Sequence, residues 1–402
     1  MKPTPVTNRP PTPWRWVALF IFSLAGALNY LDRQLLAAFS KTIIDEFSLN
    51  AAQYGLIVSA YSIPYALAAP FAGMFLDRTG LNAGAMVQVA AWSVVGMGTS
   101  LVGGFASLLG IRAALGVTES GFIPAGVKAG AIYLKPEERT FGTAFNQVGI
   151  TIGTMVAPFL AAFIGVRYGW RVAFAVSGAL GLIWVPLWWL TSRTIPSASA
   201  DVAATAPARG VFSDRRLWGL AVGNMLSMTP YSLWMNWTTL FLVTSFGLTE
   251  AQANSGFVWM PPVFGTLGGF AGSALAMRFA RAMPTATARV RTAWIGAGAL
   301  LVTALAPHLG SPAAATAIVA WSLFWTVVLS SNTYALPIDY FGPGRAATGV
   351  SILTASYGLM QAVLSPVIGA LVDRAGFGPV CAVVAVLPLM GIAVVDRTRG
   401  RS

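Results

Sequence analysis

From about residue 16 to residue 395 the chain is a succession of apolar runs, each near the roughly 20 residues an α-helix needs to cross the hydrocarbon core of a bilayer. That recurrence leaves few folds open. Inside lipid every backbone N–H and C=O must find its partner within the protein, so only helices and closed β-barrels can span. The runs are too long, and alternate too little, for barrel strands. Charge agrees with this. Asp, Glu, Lys and Arg make up 9% of the 402 residues, against about a quarter in a water-soluble domain. A soluble body of this size would have too few charges to cover its surface. The first run follows basic residues, as a secretory leader does, but Asn29, Tyr30, Asp32 and Arg33 interrupt it. A cleaved leader core is shorter and uncharged, so this run reads as a retained first helix.

The apolar runs, with their Gly, Pro and charge punctuation, place spans near 16–40 (α1), 52–76 (α2), 83–103 (α3), 105–133 (α4), 140–165 (α5) and 170–191 (α6). A second set follows near 217–246 (α7), 255–277 (α8), 292–307 (α9), 312–336 (α10), 346–371 (α11) and 378–395 (α12). The expected organisation is an N-terminal tail (1–15), a six-helix bundle (16–191), an Ala/Ser/Pro-rich linker (192–216), a second bundle (217–395) and a short tail (396–402). With the N-terminus placed in the cytoplasm, 18 of the 25 Lys and Arg residues fall on that side, four on the other and three within spans. This bias is the positive-inside pattern, and it puts both termini and the linker in the cytoplasm. It also accounts for the net charge of +12 without a nucleic-acid partner. The expected location is the cell (inner) membrane, and a monomer in the lipid bilayer is expected.

The chain repeats itself. Tyr133-x-x-Pro136 followed by Gly142 matches Tyr340-x-x-Pro343 followed by Gly349 at a constant offset of 207, and Pro158 and Pro366 continue the match at 208. Two parallel six-helix repeats are a transporter architecture, with the site near the midplane between them. The fold class is therefore an all-α polytopic membrane protein, twelve transmembrane helices in two pseudo-symmetric halves. Enzymatic chemistry lacks its parts. Cys381 is the only cysteine, which excludes an internal disulfide and a thiolate metal cluster, and His308, the only histidine, lies in a Pro/Gly loop where a histidine is usually just solvated rather than part of a Ser-His-Asp triad. No metal and no cofactor is expected.

Four charged residues fall inside apolar spans: Asp32 and Arg33 on α1, Arg112 and Glu119 on α4. A charge at mid-bilayer costs about 2.5–3.5 kcal/mol on insertion scales, so such residues mark function. Arg112 and Glu119 are two turns apart on one face, and α1 and α4 place all four at comparable depths. An arginine stays charged and clamps a carboxylate bidentately. A buried carboxylate is driven to protonate by desolvation and kept ionised by a nearby arginine. An anion that takes the arginine therefore frees the carboxylate to bind a proton, which couples the two uptakes. The plainer alternative is a pair of salt bridges that only hold helices together.

Other polar and aromatic residues are weaker candidates. Tyr54, Tyr61 and Tyr65 share a face of α2; Asn146 and Gln147 lie on α5, Tyr231, Trp234, Asn236 and Trp237 on α7, and Ser330, Ser331, Asn332 and Thr333 on α10. Tyr30, Tyr65, Gln147, Tyr231, Trp234, Asn236 and Asn332 are the candidate substrate contacts among them, with interfacial belts and interhelical hydrogen bonds as the competing roles. Lys128, near the end of α4, is expected to snorkel. Between α2 and α3, Gly73-Met-Phe-Leu-Asp77-Arg78-Thr-Gly80 reads as a gate: its glycines allow close helix approach, and Asp77 is placed to cap or pair with neighbouring helices. A simple tight turn is the competing reading.

These residues resemble the major facilitator superfamily. The 73–80 segment is similar to its loop signature G-x-x-x-D-R-x-G-x-R/K, departing where Leu81 and Asn82 replace the final basic residue. The second-half counterpart, GSALAMRFAR (272–281), lacks the acidic residue. NYLDR (29–33) with Arg112-x6-Glu119 resembles the anion:cation symporters, which include hexuronate and aldonate carriers. The resemblance implies proton coupling at Asp32 and Glu119 and substrate-carboxylate binding at Arg33, helped by Tyr30 and Tyr65. Relatives often offer an asparagine on α11, and GVSILTASYGLMQ (349–361) has none. The expected function is proton-coupled symport of a small organic anion. A drug or metabolite exporter, suggested by Gly149-x3-Gly153-x4-Pro158 on α5, and a non-transporting membrane sensor are the alternatives.

Overall fold

A computed structural model describes residues 12–134, 138–195 and 211–399. Most of the expected linker, most of the N-terminal tail, the end of the C-terminal tail and Pro136 of the first repeat lie outside the described residues. Among those described, helices line up as twelve rods: α1 (Thr12–Ala38), α2 (Ala51–Thr79), α3 (Leu81–Gly98), α4 (105–133), α5 (Arg139–Leu160), α6 (Trp170–Thr194), α7 (215–246), α8 (Met260–Phe279), α9 (Thr285–His308), α10 (Pro312–Thr333), α11 (Pro343–Ala375) and α12 (Phe377–Thr398). Nine helices among the described residues are long and apolar enough to cross a membrane.

Local chemistry explains where the rods start and break. Asp214 caps α7 by accepting from Arg216 N at 2.8 Å, and the same arginine holds its carboxyl below the usual range. Ser311 caps α10, with Pro312 at its first position. The uninterrupted run expected at 105–133 is in fact two helices, Phe105–Glu119 and Phe122–Tyr133. They part at Ser120-Gly121, where a Cβ on Gly121 would overlap the Gln88 amide. The run at 217–246 is likewise divided, into Arg215–Ser227 and Thr229–Phe246. Pro230, with no N–H and a ring that clashes one turn back, sits just after the break. A short helix, Ser40–Glu46, follows α1 where the sequence reading expects α1 to end.

The rods form two compact units. The first contains α1 up to Leu36, α2 from Ile63, and α3 to α6. Its aromatic core stacks Phe22 on Phe122 at 6.2 Å and Trp184 on Trp188 at 5.5 Å. The α5 glycines pack on α1: a Cβ on Gly149 would lie 2.5 Å from the Ser23 carbonyl oxygen, and one on Gly153 would overlap that of Ala27. That close approach accounts for the glycine pattern on α5. Overpacking a tight contact costs about 1–3 kcal/mol, so Gly153→Ala is expected to lower the melting temperature of the purified protein. Gly130→Ala, in a helix where a Cβ meets nothing within 4 Å, should hold or raise it.

The second unit contains residues 37–62 and 204–402. Its core joins Leu220, Val290, Leu329, Leu336, Leu353 and Ile392. Gly142 and Gly349, matched in the repeat, sit alike in their own units: a Cβ on the first would overlap Leu134, and one on the second would lie 2.6 Å from Pro337. Polar side chains such as Ser93, Thr303 and Ser322 are buried, whereas Phe71 is 68% and Val127 72% exposed. Apolar residues outward and hydroxyls inward suit a lipid surround.

Candidate functional site

The four intramembrane charges lie together in the first unit. Arg33 Nε donates to Glu119 Oε2 at 2.7 Å, joining α1 to α4. Glu119 is fully buried, whereas the Arg33 side chain keeps 17% of its surface. The guanidinium carbon stands 4.8 Å from the ring centroids of both Tyr30 and Tyr65. Two aromatic faces hold such a cation without neutralising it. Asp32, next along the chain, is 2% exposed and accepts a hydrogen bond from the Ser177 hydroxyl of α6. Glycine is needed at position 96 on α3, since a Cβ there would lie 3.1 Å from Asp32 Oδ2. Glu119 and Arg112 both lie within electrostatic reach of Asp32, and Arg112 is itself buried.

The two arginines of the cluster differ in exposure and partner. Arg33 is the arginine with exposed surface, and its ion-pair partner is the buried Glu119. Ser177 was not foreseen, because a hydroxyl on an apolar helix carries no signal until its partner is known.

The remaining candidates are spread more widely. Gln147 on α5 is exposed. In the second unit Tyr231 meets Tyr357 edge-on, and Asn236 donates to the Ser232 carbonyl. Trp234 is buried and donates to Ser322, and Asn332 is buried and donates to the carbonyls of Gly272 and Val328. The last two are thus hydrogen-bonded within the second unit.

At the gate segment Asp77 Oδ1 accepts from Lys128 Nζ at 2.9 Å, and Lys128 also donates to the Leu76 carbonyl at 2.8 Å. Lys128 therefore does not snorkel away from the protein. It ties α4 to the end of α2, where a carboxylate and a backbone carbonyl together outcompete the interface. Arg78 is exposed, Gly80 takes a left-handed φ of 79°, and a Cβ on Gly73 would meet nothing within 4 Å. The second half lacks an acid in its 272–281 segment, yet Arg289 Nε donates to Asp339 Oδ2 at 2.8 Å. Among the described residues no group of three or more His, Cys, Asp or Glu is placed to hold a metal ion.

Twelve helical rods in two repeated halves, with charges buried inside one of them, define a multi-pass membrane transporter. The chain belongs to the Major Facilitator Superfamily, whose family model matches residues 22–359. It resembles the hexuronate-type members of that family. It is 28% identical to the hexuronate transporter of Escherichia coli (strain K12), over 95% of this chain and 93% of that one. It is also 28% identical to the galacturonate transporter of Dickeya chrysanthemi, over 72% of this chain and 89% of that one. The crystal structure of a bacterial homolog to the human lysosomal transporter Spinster, inward-facing and unoccupied, shares the fold with a TM-score of 0.74. It is 20% identical, and the match covers 96% of this chain and 95% of that one. These relatives are transporters, not enzymes.

Proposed function

We propose that this protein is a secondary active transporter that carries a sugar acid, a hexuronate or close relative, together with protons across the cell inner membrane by alternating access. Its two six-helix bundles (16–191 and 217–395) flank a cytoplasmic linker, and both termini are cytoplasmic. The observation that carries the reading is Arg33: partly exposed, framed by Tyr30 and Tyr65, and ion-paired to a fully buried Glu119. A substrate carboxylate that takes the guanidinium displaces Glu119 from its ion pair, and in this reading the displaced carboxyl carries a proton. Asp32, bonded to Ser177, is the second proton carrier. Arg112 sets the local field, while Gln147, Tyr231, Trp234, Asn236 and Asn332 are secondary candidates for contact with sugar hydroxyls. The names of the hexuronate and galacturonate carriers support the substrate class. The exporter alternative loses its motive, since the α5 glycines are explained by packing on α1.

Ligands that bind the native state raise its apparent stability. Hexuronates and aldonates should therefore raise the melting temperature of the purified protein at concentrations where matched uncharged hexoses do not. Equal stabilisation by acid and neutral sugars, or by neither, would contradict the assignment.

A further inference from the structure

The gate signature occurs a second time. Residues 369–376 read Gly-Ala-Leu-Val-Asp-Arg-Ala-Gly, the same Gly-x-x-x-Asp-Arg-x-Gly as 73–80, at an offset of 296. Both copies end a helix, α2 in one case and α11 in the other, and both close on a left-handed glycine, Gly80 at φ 79° and Gly376 at φ 69°. They differ in what they touch. Asp373 Oδ1 accepts from Ala51 N at 2.9 Å and Oδ2 from Ala52 N at 3.0 Å, so this carboxylate caps the start of α2. Helix starts carry unsatisfied N–H groups and a positive partial charge, which a carboxylate satisfies. Gly369 is needed beside it, because a Cβ there would overlap the Ala51 carbonyl. Below the cap, a Cβ on Gly55 would overlap Ser365, and Ser59 Oγ donates to the Ala362 carbonyl at 2.7 Å.

A second carboxylate works alongside. Glu250 accepts from Lys41 N at 2.7 Å, from Thr42 N at 3.0 Å and from the Thr42 hydroxyl. Burial pushes its carboxyl up, against those hydrogen bonds, with Asp45 the nearby like charge and Lys41 Nζ bonded to Asp45. In the 73–80 copy the Gly73 face is open, and Asp77, 74% exposed, is held by Lys128 of its own unit.

We propose that the 369–376 segment is a counterpart gate, in which Asp373 and Glu250 latch residues 37–62 to the rest of the second unit and must release them for that end of the transporter to open. The two signatures then serve opposite membrane faces, one engaged while the other is not. This rests on the transporter reading only for the assignment of faces.

A thiol probe tests it without relying on transport. Ser59 is 6% exposed beneath the cap, and the native Cys381 is buried and can be replaced by serine. In Ser59→Cys protein, labelling by a charged maleimide in right-side-out vesicles should be slow. Adding Asp373→Asn, or independently Glu250→Gln, should speed it about tenfold, as expected for losing hydrogen bonds to a charged group. Asp77→Asn should not. If either variant folds poorly, the other gives the same readout. Unchanged labelling in both folded variants would overturn the latch, and so would equal acceleration by Asp77→Asn, which would indicate general loosening. Acceleration seen only in inside-out vesicles would support the latch and reverse the faces.

Discussion

Arg33→Ala is expected to weaken sugar-acid binding by roughly 30- to 5,000-fold, the range that follows from truncating one partner of a buried charge contact at about 2–5 kcal/mol. The guanidinium is the one charged group of the cluster that combines exposed surface, two flanking tyrosine rings and an ion pair to a buried acid. Arg33→Lys should fall between alanine and wild type. Lysine keeps the charge but loses the planar fork that meets a carboxylate bidentately and lies flat against aromatic faces. Titration of the thermal shift with a hexuronate separates these cases. Wild-type affinity in Arg33→Ala would show that the ion pair only joins α1 to α4.

Asp32→Asn combined with Glu119→Gln should separate transport from its driving force. Both changes preserve shape and remove a titrating group, and neither touches the Arg33 charge. Exchange of labelled for unlabelled substrate across the membrane should persist. Accumulation driven by a pH gradient should vanish, a loss of about tenfold per pH unit for each proton carried, since one pH unit is worth 1.36 kcal/mol per proton. The single variants assign the protons. Glu119→Gln removes the acid ion-paired to Arg33, whereas Asp32→Asn removes one that is bonded instead to Ser177. If the double variant accumulated substrate as wild type does, the protons would travel elsewhere.

The rods were legible because lipid leaves a chain little choice. Apolar length names the spans, and charged residues inside them stand out by their cost. Asp32, Arg33, Arg112 and Glu119 were visible in this way, and the structure brings them into one cluster. The pairing was not legible. Arg33 and Glu119 are 86 positions apart, and either arginine had an acid within reach on paper. Ser177 and Lys128 were obscure for a related reason, since a hydroxyl or an amine acquires meaning only from the helix it faces. The break in α7 falls beside Pro230, a residue type that elsewhere in this chain sits inside an uninterrupted helix, as Pro64 and Pro70 do in α2. The second gate signature was readable at 369–376 but lies outside the loop where the 207-residue repeat directs attention, because α11 rather than α8 carries it.

The most direct test of the account is uptake of galacturonate into proteoliposomes under an imposed pH gradient. An inside-alkaline gradient should drive accumulation above the external concentration, and collapsing it with a protonophore should return the internal concentration to equilibrium. Uptake of the same extent with the gradient present, absent or reversed would contradict proton-coupled symport.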